Sequence, residues 1–226
     1  LTMNESNSVT RRTVLKTSSV VAGTLAAGTW AVGGEPKNYT RNDFYDGDVF
    51  NKKKAFAAYY EMMERFGYPI SSLLRSDQFW TSDFAQNDFL NVGMGGIFWV
   101  NDTKHMYFAH EIFLLPGQMI VEHRHVPVPE GPAKMESWHV RHGMVYTFSD
   151  DKATKDLPIK LPESQLKAGG ITALHCTPLK QGEMGALNRL EARHFMIAGP
   201  EGAIVSEYAS PHYGDGLKFT NESVVC

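Results

Sequence analysis

The spacing of apolar positions changes character once along the chain. Over residues 52–66, KKKAFAAYYEMMERF, Phe56, Tyr59, Tyr60 and Met63 recur at helical spacing, and Gly67-Tyr68-Pro69 ends the run. A second short helix is predicted over 71–76. The aromatic and methionine stripe reads as packing against a core. From about residue 78 the texture is that of strands. Apolar runs at 93–100, 106–115, 119–125, 135–141, 144–148, 171–178, 185–190, 194–198 and 203–209 are separated by Asn101-Asp102, Pro116-Gly117, Gly143, Gly169-Gly170 and Gly199-Pro200-Glu201-Gly202. Many short strands at close spacing predict an all-β sandwich or barrel. In that scheme residues 199–202 form a turn between two paired strands. Residues 150–168, charged and proline-marked, form a surface insertion, and Trp80, Trp99 and Trp138 lie in the core.

Composition narrows the classes without choosing among them. The chain has 226 residues, enough for one domain with a full core and a small appendage. Lys and Arg total 22 against 25 Asp and Glu, a formal charge of −3, so nothing points to nucleic acid or to an anionic lipid surface. Two cysteines, Cys176 and Cys226, are too few for a disulfide framework or a thiolate zinc site. The N-terminus differs in kind. Thr10-Arg11-Arg12-Thr13-Val14-Leu15-Lys16, followed by an uncharged stretch to Val32, resembles a twin-arginine export signal, with cleavage expected near residues 31–34. The stretch is too short and too weakly apolar for a membrane span. The expected organisation is an export signal over 1–34, a helical extension over 35–77 and a β domain over 78–226. The expected location is periplasmic or otherwise extracytoplasmic, with no stable membrane insertion once the signal is removed.

Candidate chemistry sits in PGQMIVEHRHVPVPEGPAKMESWHVRHG, residues 116–143. Side chains alternate along a strand, so His123 and His125 share one face and Arg124 takes the other. Two neutral imidazoles on one face suit a divalent metal, although an H-x-H pair alone also fits two surface histidines. Glu207 has the strand parity of Ala203, Val205 and Ala209. A carboxylate among apolar neighbours needs a partner, either as a proton shuttle or hydroxyl anchor, or as a structural ion pair.

Gly117-x5-His123-x-His125 followed by Glu136-x6-Gly143 resembles the first signature of the cupins. The resemblance implies a double-stranded β-helix, a jelly-roll-like barrel, here with one or two N-terminal helices. The ten residues between His125 and Glu136 are more than the family's usual gap. Glu130 has that gap but no glycine at the right distance. Glu136 has one at Gly143 and is preferred, with residues 126–133 as an enlarged loop that rebuilds one wall of the pocket. The second signature is degenerate, with Asn188 and Leu190 where proline and glycine are expected, and His194 one place late. His194 remains the candidate fourth ligand. Three imidazoles and one carboxylate suit one divalent ion, manganese first, with iron, cobalt, nickel or zinc also fitting the donors.

A narrower resemblance is to the D-lyxose ketol-isomerase family. Its carriers are Phe79-Trp80-Thr81-Ser82-Asp83-Phe84, Leu114-Leu115-Pro116-Gly117-Gln118, His123-x-His125, Lys134-x-Glu136 and Val205-Ser206-Glu207-Tyr208-Ala209-Ser210, spanning about residues 78–210. The resemblance implies metal-dependent aldose–ketose isomerisation through an enediol, of the D-lyxose/D-xylulose type. It also implies a small sugar as partner and a homodimer paired through edge strands. Lys134 resembles the family's catalytic lysine, with a pKa expected to fall beside the cation, and Glu207 is the second catalytic candidate. The glycine-hinged tail with His212 and Asp215 either closes over the pocket and binds hydroxyls or is simply a C-terminal loop. Export and the enlarged loop suit a substrate outside central metabolism, such as an oligosaccharide end or a sugar acid. Two alternatives share the ligand set: a non-catalytic sugar-binding cupin, which does not need Lys134, and an iron-dependent oxygenase.

Overall fold

The structure, a computed structural model, describes residues 33–225. The twin-arginine segment and Cys226 lie outside them. A hairpin of β1 (Tyr45–Asp46) and β2 (Val49–Phe50) leads into α1 (Lys52–Arg65). Asn51 caps α1 by accepting a hydrogen bond from the Lys54 amide, which satisfies one of the donors a helix start leaves free. Of the stripe expected from the spacing, Tyr59 and Met63 lie on the buried face with Ala55, Ala58 and Met62, while Phe56 and Tyr60 are partly buried at its edge. It packs on Phe79, Phe89, Ile97, Phe113 and Ile204. The second predicted helix is a 3-10 turn, Leu73–Arg75.

The strands follow as β3 (Trp80–Ser82), β4 (Met94–Asp102), β5 (Tyr107–Leu114), β6 (Met119–His125) and β7 (Glu136–Ser149). After the short helix α2 (Glu163–Lys167) come β8 (His175–Lys180), β9 (Met184–Ala186), β10 (His194–Ala209) and β11 (Leu217–Phe219). β3 to β11 form one nine-stranded sheet that curls over itself, with antiparallel pairing between its strands. This is the cupin barrel implied by the sequence.

Two strands build both walls. The first part of β10 pairs with β6 and with the second part of β7; its remainder pairs with β5 and with the first part of β7. One wall therefore runs β3-β4-β5-β10-β7-β9 and the other β11-β6-β10-β7-β8. The turn expected at 199–202 is instead a corner within a single strand, where the register with β7 shifts between Ala198 and Ala203. The strands predicted at 135–141 and 144–148 are likewise one strand. Gly143 and Gly202 meet at this corner with φ of 71° and 78°, in the left-handed region. A Cβ on Gly143 would lie 2.0 Å from the Gly202 carbonyl oxygen. Glycine here bends a strand rather than ending it.

Both outer faces are covered. α1 covers the first wall. The second is covered by the 150–168 segment, whose Leu157, Ile159 and Leu161 pack on Met119, Phe148, Phe195 and Ile197. The segment lies on the surface as expected, and its alternate apolar residues in addition close a core. Trp99 also departs from expectation. It is 39% exposed on the outer face, donating to Glu111 Oε2 at 3.2 Å. The predicted C-terminal loop is in part strand β11, paired Leu217 to His125 and Phe219 to His123. Among the described residues no helix is long and apolar enough to cross a membrane.

Candidate active site

The second wall supplies three imidazoles. β6 turns His123 and His125 inward, and His194, the first residue of β10, is the cross-strand partner of His123. The His123 and His194 rings lie 4.2 Å apart by centroid, and those of His123 and His125 5.2 Å. The first wall supplies Glu136, the first residue of β7. One donor atom from each of the four lies within 4.8 Å of the others. Glu130 is exposed in the loop, so of the two glutamates only Glu136 joins the histidines.

The donor chemistry fits a divalent cation. His123 Nδ1 donates to the Val121 carbonyl at 2.8 Å and His194 Nδ1 to the Ala192 carbonyl at 2.9 Å. Each bond fixes the tautomer that leaves Nε2 as a lone-pair donor. His125 Nε2 lies 2.7 Å from Glu136 Oε1, yet it is buried without a well-formed hydrogen bond. Imidazole nitrogens and a carboxylate converging in this way suit a positive ion. Burial, aided by the neighbouring His194 and His125, holds His123 well below the usual histidine range. Burial pushes Glu136 up, but Lys134 and His125 outweigh it and hold the carboxyl well below its usual range.

Beside this cluster lies a chain of buried charges. Lys134, 4% exposed, sits immediately before β7 with Nζ 2.8 Å from Glu136 Oε1 and ion-paired to Glu207 Oε1. The ammonium also lies over the Phe108 ring, 4.2 Å from its centroid. Glu207, also 4% exposed, faces inward from β10 and is the cross-strand partner of His110 on β5. His110 Nδ1 lies 3.2 Å from Glu207 Oε2. Burial works against the lysine's charge, but Glu136 and Glu207 outweigh it and raise its pKa. The two carboxylates thus oppose the lowering expected beside a bound cation. Burial and Glu136 push Glu207 up, while Lys134 and His110 more than compensate and keep it low.

These groups line a cavity of about 380 Å³ with aromatic walls that include Trp80, Phe98, Phe108 and Trp138. His212 lines it too, stacked on Phe108 at 5.9 Å and 28°. Asn101 pins its backbone, donating to the His212 carbonyl at 2.9 Å and accepting from the His212 amide at 3.0 Å. Burial, with Lys134 and His125 nearby, pushes the His212 pKa down to about 4. Asp215 does not join it. It is exposed on the 3-10 turn Gly214–Gly216, outside the cavity lining among the described residues. The loop 126–133 also stays out of the lining. It packs on the tail instead, with Val126 donating to the Gly216 carbonyl at 2.8 Å, so it does not rebuild the pocket wall. His110 was the residue missed. Its alternation with Phe108 and Ile112 marked it as inward-facing, but its partner Glu207 lies 97 positions away.

An all-β cupin barrel with this interior defines a class of metal-ready, enzyme-like sites. Comparison with known proteins narrows it. No protein-family model matches the chain. The D-lyxose/D-mannose isomerase of Thermosediminibacter oceani is 33% identical over 143 residues, 63% of this chain and 76% of that protein. The D-lyxose ketol-isomerase of a Thermofilum species is 31% identical over 145 residues, 63% and 77% of the two chains. The chain belongs to this family of sugar isomerase enzymes. Among solved structures, the L-ribose isomerase of Acinetobacter sp. DL28 in complex with L-ribose shares the fold at a TM-score of 0.58 and 13% identity, covering 82% of this chain and 94% of that one. The Cellulomonas parahominis L-ribose isomerase with L-ribose does so at 0.55 and 14%, covering 75% and 90%.

Proposed function

We propose that the protein is a metal-dependent aldose–ketose isomerase of the D-lyxose/D-xylulose type. The observation that carries this reading is the position of Lys134, buried between the carboxylate of the His-Glu cluster and that of Glu207. A group so placed can exchange protons beside a Lewis acid, a task that a protein which only binds sugar does not have.

His123, His125, Glu136 and His194 would hold the ion, with manganese the preferred occupant. When bound, it supplies Lewis acidity toward the two oxygens on C1 and C2 of the sugar. The chain's own groups move the protons. Ionised Glu207 takes the proton from C2 of the aldose and returns it to C1, giving the ketose. The oxygen-bound proton shifts in the same sense, from O2 to O1, with the Lys134 ammonium giving a proton to O1 and taking one back from O2. The aromatic walls lower the polarity around the reacting groups, which strengthens their electrostatic action on the sugar.

The test is an aldose and ketose screen run in heavy water with the manganese-loaded protein. Interconversion of D-lyxose with D-xylulose, or of D-mannose with D-fructose, with solvent deuterium appearing in the product, supports the reading. Turnover without deuterium would point to a hydride shift, and no turnover of any aldose or ketose would sink it.

Two further parts of the reading concern the whole protein. The Arg11-Arg12 segment supports export by the twin-arginine route, which carries folded proteins and so allows the ion to be loaded first. Replacing both arginines by lysine should retain the protein in the cytoplasm. Pairing into a homodimer is expected, and light scattering of the purified protein measures it.

A further inference from the structure

The proposed chemistry leaves one buried nitrogen without a task. His110 is 6% exposed, and its Nε2 is buried with no hydrogen-bond partner. An unmade hydrogen bond of this kind costs about 1–3 kcal/mol, so its persistence needs a cause. The ring is not free to turn away. Trp80 stacks on it at 5.6 Å and 23°, and Phe98 meets it edge-on at 4.9 Å. Space for Nε2 exists because residue 96 is glycine: a Cβ there would come within 2.4 Å of Nε2 and 2.6 Å of the Trp80 ring. The imidazole lines the cavity.

The partner on the other side decides what this nitrogen can do. An ionised carboxylate only accepts hydrogen bonds, so in the contact with Glu207 the proton sits on His110 Nδ1. Nε2 has no acceptor beside it to receive a second N–H, which leaves it as a lone pair. Aromatic rings surround it, and a lone pair in such a place selects a ligand with a hydroxyl to donate.

We propose that His110 is a substrate-binding residue: Glu207 fixes its Nδ1–H tautomer, and Nε2 accepts a hydrogen bond from a hydroxyl of the bound sugar. The proposal deepens the isomerase reading and rests on it for the nature of the ligand. It also gives Glu207 a second task, since the carboxylate that moves the proton aligns the ring that holds the sugar.

Two measurements test it. The first needs no turnover. Nitrogen-15 spectra of the wild-type protein loaded with diamagnetic zinc should show His110 protonated at Nδ1 and bare at Nε2, with the Nε2 resonance moving upfield on adding D-lyxose or D-mannose. The His110 signal is assigned by its loss in His110→Gln. An Nε2-protonated ring, an imidazolium, or an Nε2 resonance unmoved by saturating sugar would overturn the proposal. The second measurement compares kcat and KM for the parent sugar and its 3-deoxy and 4-deoxy analogues. His110→Phe should raise KM about tenfold for the parent sugar, keep its metal content, and lose discrimination against one of the two analogues. His110→Gln, which keeps an acceptor oxygen, should recover part of that discrimination. Equal discrimination in the wild type and His110→Phe counts against the proposal. If the wild type isomerises nothing, the isomerase reading fails, and the spectra alone still decide the role of His110.

Discussion

His194 and Glu136 come from opposite walls of the barrel, yet His194 Nε2 lies 3.1 Å from Glu136 Oε2. Each residue opens its own long strand, and those strands pair along most of their length. The site is therefore a junction between the walls and not a feature of either one.

Metal removal should loosen that junction. An ion that binds only the folded chain stabilises it by about 2.7 kcal/mol at a hundredfold excess over Kd, and each kcal/mol shifts Tm by about 2–4 °C in a chain of this size. Chelation with EDTA should lower Tm by on the order of 5–10 °C, and manganese should restore it. Glu136→Gln and His194→Gln should abolish the manganese-dependent part. An identical melting curve with and without chelator would show that the four groups hold no ion.

Lys134 and Glu207 should separate chemistry from metal binding. Glu207→Gln should retain manganese and lose about 10²–10⁴-fold in kcat, the usual worth of a positioned acid–base group. Lys134→Met should lose activity to a similar degree. It should also lose about 3–5 kcal/mol of stability, because two buried carboxylates are left without their shared cation. Metal analysis, steady-state kinetics and urea unfolding of both variants check this. A fully active Lys134→Met protein would refute the proton-transfer role.

The corner glycine should tolerate no side chain. Gly143→Ala places a methyl group against the Gly202 carbonyl and forces an alanine into left-handed backbone. The expected loss is at least about 2 kcal/mol, read from the urea midpoint at unchanged slope. A wild-type midpoint would mean that the two strands separate easily at the corner.

His142 should contribute to acid sensitivity away from the site. It stacks on Phe66 at 5.3 Å on the outer face, and burial, with Arg141 adjacent, holds its pKa below the usual value. With the folded pKa depressed, the unfolded chain takes up the proton first as pH falls. Stability from this residue is then full above about pH 6.5 and declines below it until the folded ring also titrates. Urea unfolding at pH 7.5 and 5.0 should show a smaller acid loss for His142→Gln than for the wild type. An equal loss in both would clear His142 of any part in it.

Much of this architecture was legible because it is local. Helix α1 followed from the spacing of Tyr59 and Met63, and the shared face of His123 and His125 followed from strand alternation. Glu136 was distinguished from Glu130 by Gly143, whose left-handed backbone at the corner explains the preference. What was missed depends on distant partners. The corner at 199–202 carries the same residues as a reversing turn, and only its pairing with β7 on both sides distinguishes the two. The alternation of Leu157, Ile159 and Leu161 is strand-like, but the surface those residues cover comes from β6, β7 and β10. Asp215 was chosen for its place in a glycine-hinged tail, and the pairing of β11 with β6 turns it toward solvent while keeping His212 at the cavity.

β10 carries His194 of the His-Glu cluster at one end and the buried carboxylate of Glu207 toward the other, with the bend at Gly202 between them. The strand works as a caliper whose two jaws both reach the cavity. The angle of that bend sets the gap between the jaws, so the two corner glycines fix the width of the cavity although neither of them lines it.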